Sequence, residues 1–319
     1  QAITGVGFQP DFVWGKQRTG TESHQLLDVL RGANNILTSN TDAAALADSN
    51  ILNSFDADGY TLGSQNQLND TGATYVGWNW KANGAGASNE DGSINTIKTS
   101  ANTTSGFSIS TYTGTGANAT IGHGLGVVPQ VVIYKKTSAT GNWFMYNENI
   151  GNTKYLNLDA TSAEQTYNVF QDTTPSSTLL YVSGDSGANQ NSQTYVAYCF
   201  ADVQGYSKFG SYTGNNNADG PFVYTGFKPA WVLFKRSSAA ENWSLYDNKR
   251  LGYNPQSYGL RPNINLAESE YATTDSVDFV SNGFKIREAG TNINDGTYIY
   301  LAFAEEPFVT STGIPATAR

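Results

Sequence analysis

Histidine, cysteine and charge are all scarce in this chain. Its 319 residues include two histidines, one cysteine, one methionine and nine prolines, and only 14% are charged, against about 25% in ordinary soluble domains. The single cysteine, Cys199, rules out an internal disulfide, so stability has to come from packing; it lies in a strand pattern and reads as a small buried hydrophobe. The two histidines, His24 and His123, stand in neither triad nor metal-ligand spacing, which removes the usual bases for nucleophilic catalysis or a zinc site. Basic residues are also too few to favour a phosphate partner. The net charge is −9 and the pI near 4.7, which disfavours nucleic acid and anionic membrane surfaces. No apolar run reaches the roughly eighteen residues of a membrane-spanning helix, and residues 1–30 show no charged-then-apolar signal segment.

What the chain does have is repetition. Units open with Phe8-Gln-Pro10-Asp-Phe-Val-Trp-Gly-Lys16, Val128-Pro129-Gln-Val-Val-Ile-Tyr-Lys135 and Phe227-Lys-Pro229-Ala-Trp-Val-Leu-Phe-Lys235. They close with Thr74-Tyr-Val-Gly-Trp-Asn-Trp80, Thr194-Tyr-Val-Ala-Tyr-Cys-Phe200 and Thr297-Tyr-Ile-Tyr-Leu-Ala-Phe303. Between these ends, Trp143 and Tyr146 match Trp243 and Tyr246, while the first unit has His24 and Leu27 there. A further element, Ser110-Thr-Tyr-Thr-Gly114 and Ser211-Tyr-Thr-Gly214, precedes the second and third units and has no counterpart in the first. That difference predicts a chain continuing a longer protein.

A period of about a hundred residues exceeds solenoid repeats and suits a whole small β domain. Aromatic residues make up 13% of the chain, and with Thr and Gly/Asn-rich turns they favour strands over helix. The expected fold is all-β: three tandem β-sandwich, jelly-roll-like repeats, each with its own core. The boundaries are 1–81 for an N-terminally incomplete first repeat, 82–105 for a linker, 106–205 and 206–308 for the second and third repeats, and 309–319 for a C-terminal tail. The linker rests on the small, polar composition of residues 81–92. Helix propensity concentrates only at Asp42-Ala-Ala-Ala-Leu-Ala-Asp48. The pairs Asp28/Arg31 and Asp247/Arg250 suit local ion pairs holding a turn. Asp56-Ala-Asp58-Gly59 superficially suggests a calcium loop, but Asn282-Gly283 at the matching place makes a tight hairpin turn the better reading.

Two repeated features could bind a ligand. Trp143, Tyr146 and Asn147, with Trp243, Tyr246 and Asp247, combine flat rings with amide and carboxylate groups, as sugar recognition requires. That the same residues form each repeat's core is the preferred reading. Lys16, Lys135 and Lys235 end the proline-led strand and are expected at a solvated strand end or in a structural ion pair. No catalytic residue, metal site or cofactor is expected.

The segments Phe8-Gln-Pro-Asp-Phe-Val-Trp14, Ser54-Phe-Asp-Ala-Asp-Gly-Tyr60, Thr74-Tyr-Val-Gly-Trp78, Gly210-Ser-Tyr-Thr-Gly214, Ala218-Asp-Gly-Pro-Phe-Val-Tyr-Thr-Gly-Phe227 and the ending from Ala304 to Arg319 resemble repeat-built surface proteins of tailed bacteriophages. The resemblance covers essentially the whole chain. It implies a structural and host-recognition role at the virion surface, as a tail fibre or appendage, with no catalytic residues assigned; the expected function is a non-enzymatic appendage recognising a bacterial surface glycan, with self-association (a homotrimer for a fibre) and other virion proteins as partners. Repeated weak sites would add through effective concentration. A capsid-decoration or tail-wall protein binding neighbouring subunits is the alternative. A polysaccharide-degrading tailspike is a third reading, needing two carboxylates about 5–10 Å apart in a cleft.

Overall fold

The structure, a computed structural model, describes residues 1–184, 187–270 and 275–305; the expected tail, 309–319, lies outside them. It is all-β. Among the described residues, helix is confined to Asn66–Asn69 and a single 3-10 turn, Glu148–Ile150.

The proline-led and closing segments pair in every repeat, because both are rich in aromatic and β-branched residues and both are bracketed by turn residues. Phe12–Gln17 lies antiparallel to Tyr75–Trp80, Val131–Lys136 to Thr194–Phe200, and Pro229–Arg236 to Thr297–Ala304. On one side each pair is extended by the strand after the lysine turn: Gln25–Asp28, Phe144–Asn147 and Ser244–Asp247. On the other side, among the described residues, a leading strand covers the closing strand in the second and third repeats. Phe107–Thr113 pairs with Thr194–Phe200, and Ser207–Thr213 with Thr297–Ala304. In the first repeat Tyr75–Trp80 ends its sheet.

A smaller sheet faces each main sheet. Its strands are Ala2–Thr4, Gly59–Leu62 and Leu52–Asp56 in the first repeat, Ala119–Gly122 and Leu179–Val182 in the second, and Phe222–Tyr224, Gly283–Ile286 and Val277–Val280 in the third. Among the described residues, apolar side chains from the two layers meet in a core in each repeat. Val13 and Leu27 pack with Tyr60 and Leu62, Val132 and Tyr146 with Ile121 and Leu180, and Val232 and Tyr246 with Phe284 and Ile286. The expected turns are present: Asp56 pairs with Gly59, and Val280 with Gly283. Gly59 has φ +148°, and a Cβ there would sit 1.9 Å from the Ile3 carbonyl oxygen, so glycine is required.

Three expectations change. First, the first two repeats are not separate beads, because their main sheets are apolar on both faces. Phe12–Gln17 and Val131–Lys136 are buried along their whole lengths. Phe12 meets Tyr198 at 4.6 Å and Phe107 at 6.0 Å, and Trp80 meets Phe200 at 6.4 Å. The chain accordingly divides into two compact units. One holds residues 1–159, 166–201 and 264–267; the other holds 160–165, 202–263 and the described residues from 268 onward. In the second unit Phe303 packs edge-on against Trp231 at 5.5 Å and Phe209 at 5.7 Å.

Second, the expected linker 82–105 is part of the second repeat. Lys98–Asn102 is a strand beside Phe107–Thr113, and Ile94 is in that repeat's core. Its small residues serve close packing: a Cβ on Gly86 or Gly92 would come within 2.5 Å of the carbonyl oxygen of Thr99 or Thr120. Third, Asp42 to Asp48 is not helical. Leu46–Ala47 is a short strand on Asn35–Thr38, and Ala45 donates its amide to the Thr137 carbonyl at 2.9 Å. Tertiary hydrogen bonds here outweigh helix propensity, which is only tenths of a kcal/mol per residue, about 0.7 at most for ordinary residues.

Candidate functional site: lysine sockets and an open strand position

The residues read as a sugar platform are interior. Trp143, Tyr146, Asn147, Trp243 and Tyr246 are at most 1% exposed and Asp247 is 4% exposed, so no ring face is available to a sugar. They lie in or just before the strands Phe144–Asn147 and Ser244–Asp247, where both sides are covered, which repeat spacing alone could not reveal. Trp143 donates its indole N–H to the Thr38 carbonyl at 3.0 Å and lies parallel to Tyr198 at 6.5 Å. Tyr246 donates its hydroxyl to the Asp275 carbonyl at 2.7 Å. Asp247 holds a turn, accepting the Lys249 and Arg250 amides and pairing with the Arg250 guanidinium at 2.6 Å. Asp28 repeats that arrangement with Arg31 at 2.6 Å. In the second repeat, Asn147 accepts the Asn149 amide instead.

The lysines are neither solvated nor primarily ion-paired, contrary to expectation: all three are fully buried. Lys135 donates to the Asp42 carbonyl at 2.8 Å and the Gly141 carbonyl at 2.6 Å. Lys235 donates to Thr161 at 2.9 Å and Glu241 at 2.7 Å. The loop carbonyl is shared in both cases, since Asp42 also accepts the Gly141 amide and Thr161 the Glu241 amide, each at 2.8 Å. Lys16 is satisfied by its own turn, through Gln17 at 2.7 Å and Gly20 at 3.0 Å. Burial brings each ammonium down to about 8. Carbonyl acceptors have no sequence signature, so this use of the repeated lysine could be recognised only from coordinates.

The remaining reactive groups are also engaged. Burial raises the Cys199 thiol to about 12, which makes it inert. His24 accepts the Trp14 indole N–H at 3.0 Å. His123 accepts the Leu125 amide, and burial lowers its pKa. Asp159 accepts the Trp143 amide and is pushed up to about 6, chiefly by burial. Among the described residues, no group of three or more His, Cys, Asp or Glu is arranged to hold a metal.

Concave features among the described residues reach solvent, two of them beside exposed strand or loop residues. In the first repeat a cavity of about 440 Å³ opens beside the uncovered strand Tyr75–Trp80, lined by Ile3, Tyr60, Leu62, Leu68, Tyr75 and Gly77 among others. In the second unit a cleft of about 310 Å³ is bordered by Asp202, Gln204, Lys208, Tyr224 and Thr225. Tyr224 is 66% exposed there, and Lys208 pairs with Asp202. No helix among the described residues is long and apolar enough to cross a membrane.

The chain belongs to the family described as a domain of unknown function, DUF7483, whose profile matches residues 1–307. No curated protein and no solved structure matches it.

Proposed function

We propose that this DUF7483 chain is a non-catalytic structural component of a tailed-phage virion surface, set among neighbouring subunits. The observation that carries this reading is where the repeated residues lie. The repeated tryptophans, tyrosines, lysines and Asp–Arg pairs all have packing or hydrogen-bonding roles inside the protein. The repetition therefore maintains architecture. The phage context rests on the sequence resemblance. Gold-labelled antibody against the folded chain, applied to intact particles, is expected to decorate a regular set of positions on the virion surface. Labelling confined to the host cell or its membrane would overturn the reading.

Glycan recognition by an appendage, with oligomerisation multiplying the sites, is a second reading, and it moves away from the buried tryptophans. The exposed Tyr224 ring beside Asp202, Gln204 and Lys208 combines a stacking face with polar neighbours. A glycan array should then show retention that Tyr224→Ala abolishes without lowering the unfolding temperature. Retention unchanged by that substitution would remove Tyr224 as the contact.

A further inference from the structure

Repetition accounts for the buried aromatic residues, so an aromatic side chain that is both exposed and unrepeated needs a different explanation. Phe222 and Tyr224 are such residues. In the strand Phe222–Tyr224 only Val223 enters the third repeat's core; the two rings stand on the outer face, 48% and 66% exposed. The matching strands keep the inward residue, as Ile3 and Ile121, but carry Ala2 and Thr4, or Thr120 and Gly122, on the outer face. In the second repeat the chain itself lies against that face. The Ser93 amide donates to the Thr120 hydroxyl at 2.8 Å, and a Cβ on Gly122 would sit 1.6 Å from the Asn89 side-chain oxygen. The third repeat has no such segment, since residues 201–206 alone separate its leading strand, Ser207–Thr213, from Thr194–Phe200.

Both rings lie beside glycine on a fixed backbone. A Cβ on Gly283, the residue opposite Tyr224, would come 3.0 Å from Cε2 of Phe222. One on Gly226 would come 3.6 Å from the Tyr224 hydroxyl and 3.8 Å from the edge of its ring. The turn after Tyr224 is pinned, because Thr225 and Gly226 donate their amides to the Asn282 carbonyl at 3.0 and 3.2 Å and the Thr225 hydroxyl donates to the Phe227 carbonyl at 2.6 Å. Rings held this way lose little freedom when a ligand stacks on them. The cleft of about 310 Å³ beside Tyr224 matches the smallest small-molecule sites, about 300 Å³. The charges around the rings are matched. Asp202 pairs with Lys208, and Lys285, opposite Phe222, donates to Asp219 and to the Gly220 carbonyl, each at 2.6 Å. Gln204, exposed at the cleft, offers both amide donors and an acceptor.

We propose that this face binds a neutral oligosaccharide of at least two units, one sugar stacked on Phe222 and another on Tyr224, with hydroxyls reaching the Gln204 amide and the Asp202–Lys208 pair. Residues two apart on a strand are set about 7 Å apart, too far for one sugar ring to cover both. The C–H faces of sugars suit aromatic faces, and charges already paired with each other can bond hydroxyls without drawing in an ionic group. An acidic glycan fits less well, because Lys208 and Lys285 are occupied by carboxylates and the whole chain carries a net charge of −9. The inference rests on the glycan reading above and adds to it a second ring, a charge class and a minimum length.

The test applies the full 319-residue chain to an array of neutral and acidic glycans, from single sugars upward. Retention on neutral glycans of two or more units is expected, and added salt, which screens charge attraction, should leave it unchanged. Phe222→Thr and Tyr224→Thr install the residues that stand at the matching places as Thr120 and Thr4. Each should weaken retention at least about tenfold without lowering the unfolding temperature, whereas Phe222→Tyr should keep it. Retention of acidic glycans alone, of single sugars as well as longer ones, or retention that Phe222→Thr leaves unchanged overturns the two-ring platform while glycan recognition stands. Retention of no glycan by the folded chain overturns both.

Discussion

The first and second repeats share a strand plan but complete it differently. In the second, Lys135 draws one carbonyl from its own turn and one from the first repeat's loop; in the first, Lys16 is closed by its own turn alone. Trp143 reaches the first repeat's Thr38 carbonyl, whereas His24, in the equivalent place, accepts the Trp14 indole from its own sheet. The second repeat is thus built against a neighbour, and the first is closed on itself at the same positions. A repeated residue can keep its place while changing the partner that satisfies it.

Substitutions can break this contrast. The largest effect is expected from Trp143→Ala, which empties a fully buried site and leaves the Thr38 carbonyl without its donor. Chemical denaturation should show a loss of about 3–5 kcal/mol, with the Phe12–Tyr198 junction loosened. Lys135→Met comes next. It strands two carbonyls and should lose about 2–4 kcal/mol, whereas Lys16→Met, whose acceptors belong to one turn, should lose at least about 1 kcal/mol less. Equal losses would mean that the joint to the first repeat adds nothing.

Asp159→Asn is the smaller test, since the sister positions that accept the His24 and Trp243 amides are already Asn40 and Asn263. The carboxyl of Asp159 has its folded pKa raised to about 6. Its contribution is therefore fully present below the unfolded value and lost as pH rises through 6. The variant should be more stable than the parent by about 1 kcal/mol at pH 7, and the difference should vanish towards pH 4. The lysines run the other way. Their folded values are lowered to about 8, so stability should rise with pH from about 8 towards the unfolded value near 10.4. Lys135→Met should reduce that slope in thermal unfolding scans.

Much of the fold was legible because strands leave a periodic apolar record. The proline-led and closing segments, the Asp–Arg turns and the Asn-Gly and Asp-Gly hairpins all occupy the places their residues suggest. The architecture between repeats was not legible. Phe12 and Trp80 look like ordinary strand residues until the second face of the sheet is seen to be covered. Gly86 and Gly92 read as flexibility because composition cannot distinguish a loose chain from one pressed against a carbonyl. The candidate sugar residues failed for a related reason: Trp143 and Tyr146 carry the same letters whether their rings face water or core.

The lysine socket also bears on how such a chain could lengthen. Asp42 follows Lys16 at the same separation at which Thr161 follows Lys135. The second repeat therefore carries a lysine that takes one peg and, further on, a peg for the next repeat's lysine, while the first repeat supplies a peg and closes its own lysine. Duplicating such a segment copies both halves of the joint at once. A deletion within the intervening stretch would instead move the peg off its socket, so growth by whole repeats is tolerated where small length changes are not.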